Sequence, residues 1–229
     1  MTEAERQIIL SRAKNFFRTR IAENHKENTE KLSSLSKFNV NPFTHKYLAQ
    51  FAFGDSSPES MAKALIYPRV LGTSISTTFG TQLQFFCNEV LSSYASTTSG
   101  IDIEFIDALD GRKKYCQVTI NHDDVDTIIN HFGKIRNLAR TNHLNLNITD
   151  CIVGVFYGTE ASICASYRKI NEQYPVYVGA EFWHRLTGDA GFYYDLIDAF
   201  AEVADEMDSS LMINNLIHQL ASQIAREQG

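Results

Sequence analysis

The sequence predicts an α/β domain with a mixed central sheet flanked by helices, and with helical N- and C-terminal regions. Three observations predict it. Alternating apolar residues at Ile101, Ile103 and Phe105, then Asp110-Gly111, then a second alternating run mark an antiparallel hairpin. An amphipathic helical segment follows, and after it the continuous apolar run Ile148–Tyr157, as expected of a strand buried on both faces. Helical periodicity dominates both ends of the chain.

Each element follows in order. Thr2 and Glu5 form a capping box before the stripe Ile8, Ile9, Ala13, Phe16 and Phe17, which predicts a helix over about residues 3–23. Its polar face carries Arg6, Arg12, Lys14, Arg18 and Arg20, either a solvated face or a phosphate-facing arm. Residues 24–41 are polar and read as a linker, so residues 1–40 form a helical arm and linker. Asn41-Pro42 opens a short helix through Phe51, and Ser57-Pro58 opens another to about Tyr67, which Pro68 ends or bends. The Ser/Thr-rich stretch Gly72–Gly80 reads as loop-rich. A helix with Leu83, Phe86, Val90 and Leu91 follows, and Glu89 lies on it.

The hairpin pairs the strand around Ile101–Ile106 with Lys114–Ile120, which carries Tyr115, Gln117 and Thr119 on one face. Val125, Ile128, Ile129, Phe132, Ile135 and Leu138 then mark a helix capped by Asn121 or Asp123. Residues 158–175 read as a polar excursion and Pro175–Phe182 as a last strand, with Trp183 in the core. Helices at about 192–207 and 210–226 close the chain, so 192–229 is a helical region with an apolar face suited to dimerisation.

Composition narrows the classes. At 229 residues, with 21% charged and 44% apolar residues, the chain is read as one soluble domain spanning 1–229. A chain of this size buries about 70% of its unfolded surface. No 18-residue apolar run exists, which excludes a transmembrane helix. Glu3 and Glu5 stand where a secretory leader would be apolar, so a cytoplasmic location is expected. Cys87, Cys116, Cys151 and Cys164 form no Cys-x-x-Cys pair, which argues for small core residues rather than zinc ligands. The net charge of −6 is uneven: residues 1–50 carry +4 and residues 151–229 carry −7. Global acidity argues against nonspecific coating of nucleic acid but leaves room for a local basic face.

Neither a Gly-rich phosphate loop nor a Gly-x-Ser-x-Gly elbow occurs. His122, Asp123 and Asp124 sit at a helix start, where capping explains them. The hairpin offers chemistry. It places Asp102 on one strand and Gln117 and Thr119 on its partner, with Glu89 on the preceding helix. Oxygen donors converging this way suit a hard cation such as Mg²⁺, with Asp102 and Glu89 as metal ligands and Asp102 and Gln117 as catalytic candidates.

Several long runs carry a resemblance. They are Ala64–Ser74 (ALIYPRVLGTS), Phe79–Gln84 (FGTQLQ), Gly100–Phe105 (GIDIEF), Asp123–Phe132 (DDVDTIINHF) and Glu181–Gly188 (EFWHRLTG). From about residue 40 to 200 the chain resembles the EcoO family of type II restriction endonucleases. That resemblance implies a restriction-endonuclease-like fold, a single nuclease domain, and a homodimer. It implies a Mg²⁺-dependent type II site-specific deoxyribonuclease, which hydrolyses phosphodiester bonds of double-stranded DNA at a short palindrome. It also implies a cognate methyltransferase in a bacterial or archaeal cell. Asp102 matches the first acid of the family's P-D…(D/E)-x-K pattern, and Gln117 falls at the (D/E) position. The motif Lys should stand two residues later; Thr119 stands there, and Thr119-Ile120-Asn121 follows Val118 directly, so the short Lys-bearing loop is missing.

Candidate DNA-binding residues are Lys63, Arg69, Thr73, Ser74 and Thr77 in the loop-rich region, Arg168 and Lys169 in the excursion, and Arg185 after the last strand. Two rivals stay open. The missing Lys favours a catalytically inactive DNA-binding member of the same fold. The net charge of −6 favours an interaction protein with no nucleic-acid role.

Overall fold

The computed structural model describes residues 1–118 and 125–228, apart from the side chains at positions 80, 83, 84, 87, 93 and 228. Thr119, the end of the second expected strand, the capping residues Asn121 and Asp123, and the His122–Asp124 trio lie outside the described residues, as do the side chains of Leu83 and Cys87. The chain divides into two compact units, Met1–Phe16 with Gly80–Ala201, and Phe17–Phe79 with Glu202–Gly229.

The first unit holds the sheet. Strands β1 (Ile103–Ile106), β2 (Lys113–Gln117), β3 (Cys151–Val155) and β4 (Val176–Val178) lie in that order. β1 pairs antiparallel with β2, which pairs parallel with β3, and β3 pairs parallel with β4. The sheet is therefore mixed, as the hairpin and the later crossover predict.

The helices of this unit are α1 (Glu3–Phe16), α6 (Val125–Thr141), α7 (Ala165–Asn171) and α8 (Ala180–Thr187). The expected capping box starts α1: Thr2 Oγ1 accepts from the Glu5 N–H, and the Glu5 carboxylate accepts from the Thr2 N–H. Ile128 and Phe132 of α6 pack with Ile170 and Tyr174 onto Cys151, Val153, Val176 and Val178. Edge-on aromatic contacts link Phe105, Phe182 and Trp183 elsewhere in the unit. Trp183 is buried and donates its indole N–H to the Phe156 carbonyl, which confirms its core role. Each such buried ring or branched aliphatic contributes roughly 1.5–3 kcal/mol.

The second unit is helical. A π-helical turn (Phe17–Ala22) carries the first helix into α2 (Glu23–Glu30). Then come α3 (Pro42–Phe53) and α4 (Pro58–Pro68), and a second π-helical turn (Arg69–Ser74) joins α4 to α5 (Ile75–Glu89), which belongs to this unit only as far as Phe79. Pro68 lacks an N–H for the carbonyl four residues back, yet the chain stays helical through it and passes into the wider turn rather than ending there. The helix α9 (Phe192–Glu206) belongs to the first unit as far as Ala201, and α10 (Ser210–Gln228), in the second, closes the chain. Met61, Ala62, Ile66 and Val70 pack against Leu216, Ile217, Leu220 and Ile224, so the apolar face of α10 is buried inside its own unit.

Four elements differ from expectation. Part of the supposed linker, Glu23–Glu30, is helix, anchored by buried Thr29 within it and by buried Ile21 and Leu32 just outside its two ends. The Ser/Thr-rich stretch is helical too: Ser and Thr cost a helix only tenths of a kcal/mol, and burial of Val70, Thr78 and Phe86 outweighs that. The strand expected over Ile148–Tyr157 shortens to β3 because Ile148–Asp150 forms a 3₁₀ turn. The strand expected over Pro175–Phe182 stops at Val178. Gly179, at φ +52°, turns the chain into α8, where Phe182, Trp183 and Leu186 share a buried face at helical spacing. Among the described residues, no helix is long and apolar enough to cross a membrane.

Candidate functional site

The hairpin closes on Asp102. Its N–H donates to the Cys116 carbonyl at 3.1 Å, and its Oδ2 accepts from the Val118 N–H at 2.6 Å. That second bond holds the carboxylate at the end of β2, beside Gln117. Asp102 itself remains exposed. Gln117 is only 8% exposed, and its Oε1 is buried with no hydrogen-bond partner among the described residues. A buried acceptor left unpaired costs about 1–3 kcal/mol, so this oxygen stands ready for a donor or a cation. The structure therefore places Asp102 and Gln117 at the same end of the hairpin, with Asp102 bonded to the residue that follows Gln117. Thr119 lies outside the described residues. Glu89 ends α5 and is exposed, and it joins no group of three His, Cys, Asp or Glu side chains among the described residues.

Glu104 is a neighbour that the sequence reading passes over. It pairs with Tyr115 in register, one alternation from Asp102 on the same strand face. Its carboxylate accepts from Ser96 Oγ at 2.5 Å, Thr98 Oγ1 at 2.6 Å and Lys113 Nζ at 2.6 Å. Burial raises its pKa, but the bonds from Lys113, Ser96 and Thr98 outweigh that and hold it below the ordinary value. The period-two spacing from Asp102 is the signal that could have found it.

The two lysines of β2 are both engaged. Lys113 Nζ is bound to Glu104 and lies 5.2 Å above the Tyr115 ring. Lys114 is fully buried, its Nζ 2.5 Å from Asp110, 3.4 Å from Asp150 and 3.2 Å from the Thr149 carbonyl. Arg112 also pairs with Asp150. Neither ammonium reaches out in place of the motif Lys.

The donor set can be tested against Mg²⁺, which prefers oxygen, keeps several waters and is often held by one or two carboxylates. Asp102 offers a carboxylate and Gln117 an orphaned amide oxygen. These fit a two-oxygen site completed by water. The uncharged Gln117 makes it weaker than a pair of acids.

The expected basic contacts divide into two groups. Lys63 pairs with Glu59 at 2.6 Å, and Lys169 pairs with Asp126 at 3.8 Å. Arg185 pairs with buried Asp107 at 2.9 Å and with Glu181 at 3.1 Å, and stacks 3.9 Å from the Tyr177 ring. Its guanidinium thus performs a structural task in the sheet unit. Arg168 is exposed on α7. Arg69, Thr73, Ser74 and Thr77, by contrast, line one groove of about 680 Å³ in the helical unit, together with Lys31 and Lys37. Those two lysines escaped the sequence reading because they fall in the supposed linker. Only the helix α2 and the short turn Leu35–Lys37 give their positions meaning.

No curated protein matches the sequence. A family profile described as type II restriction endonuclease EcoO109I matches residues 11–208, which takes in the hairpin, the groove residues and α8. With most of its length matched, the chain belongs to the type II restriction endonuclease EcoO109I family.

Proposed function

We propose that the chain is a type II site-specific deoxyribonuclease that binds double-stranded DNA and hydrolyses its phosphodiester bonds with Mg²⁺. One observation carries the centre of this reading: the Asp102 carboxylate is fixed at the hairpin end by the Val118 N–H, and the preceding residue, Gln117, carries a buried oxygen with no partner among the described residues. Asp102 and Gln117 would hold the cation. Bound Mg²⁺ would make its water more acidic and offset charge on the phosphate. The Val118 amide orients Asp102 before the cation arrives, which lowers the reorganisation needed on binding. Glu104, clamped by Lys113, Ser96 and Thr98, adds negative charge to the same strand without being free to move. Cutting both strands of a palindrome calls for two copies related by a two-fold axis, so the working form is a homodimer. A methyltransferase of matching specificity would protect the host DNA, and the setting is the cytoplasm of a bacterial or archaeal cell.

A second reading is a member that binds DNA and does not cut. The uncharged Gln117 at the second acid position and Thr119 at the Lys position favour it. Plasmid digestion separates the two. Purified protein is incubated with plasmid and on the order of 10 mM Mg²⁺, ample for a weak site, beside Asp102→Ala. Discrete fragments that vanish in the variant support the endonuclease. A specific band shift without fragments selects the binding-only reading. Neither fragments nor shift refutes both.

A further inference from the structure

We infer that the helical unit carries a metal-independent seat for the sugar-phosphate backbone of duplex DNA, formed by Lys31, Lys37 and Arg69 with the hydroxyls of Thr73, Ser74 and Thr77. The inference rests on the double-stranded-DNA reading above. It adds where the backbone is held and that the grip needs no cation. The chain is acidic overall at −6, yet this groove of about 680 Å³ gathers three cations, and no Asp or Glu is among its described lining residues. Lys31, Lys37 and Arg69 form no ion pair with any described carboxylate, whereas Lys63 and Lys169 each have one and Arg185 has two. Three like charges facing one cleft repel one another, and an external anion relieves that repulsion.

The hydroxyls narrow the ligand. Lys and Arg with Ser and Thr are the side chains that grip phosphate oxygens, and such contacts position a duplex without reading its sequence. The groove residues belong to the helical unit, while Asp102 and Gln117 belong to the sheet unit. Binding through the groove therefore draws on none of the groups that would hold Mg²⁺.

The test is fluorescence anisotropy of the full chain with a labelled duplex in EDTA, across about 50–200 mM salt. Each phosphate neutralised contributes about 0.9 to the slope of log affinity against log salt. Wild type should bind, and Lys37→Gln and Arg69→Gln should each flatten the slope by about 0.9. The combined variant Lys31→Glu, Lys37→Glu, Arg69→Glu should lose most of the binding. Lys134→Glu, an exposed lysine of the sheet unit, should leave the slope unchanged. The single Gln variants keep the test valid if the combined variant misfolds. Unchanged slopes in the groove variants, with wild type still binding, would overturn the seat. Binding of tripolyphosphate without binding of duplex would overturn it as well. No binding of wild type to any duplex, with or without Mg²⁺, would instead sink the DNA reading on which it stands.

Discussion

Gly154 lies in the middle of β3, opposite Tyr177 of β4 and next to Val153, which pairs with Gln117 of β2. A Cβ at this position would lie 2.3 Å from Cε2 of Phe182, with two more ring atoms at 2.8 and 2.9 Å. Carbon atoms in contact sit at about 3.5–4.0 Å, so the ring would have to retreat by more than about 1 Å. It has nowhere to go. Phe182 is fully buried, with ring centroids of Phe105, Phe156 and Trp183 within 6.4, 5.7 and 5.6 Å. The strand cannot yield either, because both its neighbours are paired to it. Overpacking costs typically about 1–3 kcal/mol, and Gly154→Ala belongs at the upper end, about 3 kcal/mol. In a chain of this size that lowers Tm by roughly 6–12 °C. Urea unfolding followed by tryptophan fluorescence gives the free-energy loss directly. Phe182→Leu in the Gly154→Ala background removes the clashing ring atoms, so the pair should be less destabilised than the sum of the singles by about 1 kcal/mol or more. A Gly154→Ala loss under about 0.5 kcal/mol, or strict additivity of the pair, would refute the reasoning.

Other perturbations have defined outcomes. Asp150→Ala leaves fully buried Lys114 with Asp110 and the Thr149 carbonyl alone, and should cost about 3–5 kcal/mol in urea unfolding. Lys114→Met should cost less, because Asp150 keeps Arg112 and the Asn147 N–H. Burial raises the Asp150 pKa, but Arg112, Asn147 and Lys114 outweigh it and the folded value is depressed, as it is for Glu104. Unfolded carboxyls titrate near 4 and so bind more protons in this window. Stability from both groups is therefore complete above about pH 5 and lost as pH falls through their folded values; Glu104→Gln should flatten that acid limb in a pH series of urea midpoints. Asp102→Asn keeps an acceptor for the Val118 N–H but removes the charge. It should leave Tm near wild type and weaken Mg²⁺ in calorimetric titration by more than the roughly 10–100-fold cost of losing an outer-shell partner.

The hairpin was legible in the sequence because period-two alternation and Asp110-Gly111 are local signals, and Asp102 with Gln117 came with it. The helix α8 was not, because Val176–Phe182 is apolar enough for a strand and only the bend at Gly179 separates the two periods. The helicity of residues 72–80 was hidden by Ser and Thr, whose weak local preference yields to burial of Val70, Thr78 and Phe86 in and around the stretch. Glu104 was within reach through its spacing from Asp102. Lys31 and Lys37 were not, since their meeting with Arg69 is tertiary. The engagement of Arg185 with Asp107 lies beyond sequence for the same reason, the partners being 78 positions apart.

Site-specific cleavage of duplex DNA at a centre containing Asp102 leaves a signature in the fragment ends. Sequencing the ends of every fragment made from a random-sequence plasmid library in Mg²⁺ tests it most directly. All ends should fall within one short palindrome, placed symmetrically on the two strands, and disappear with Asp102→Ala. Ends scattered without regard to sequence, or ends that persist in that variant, would contradict it.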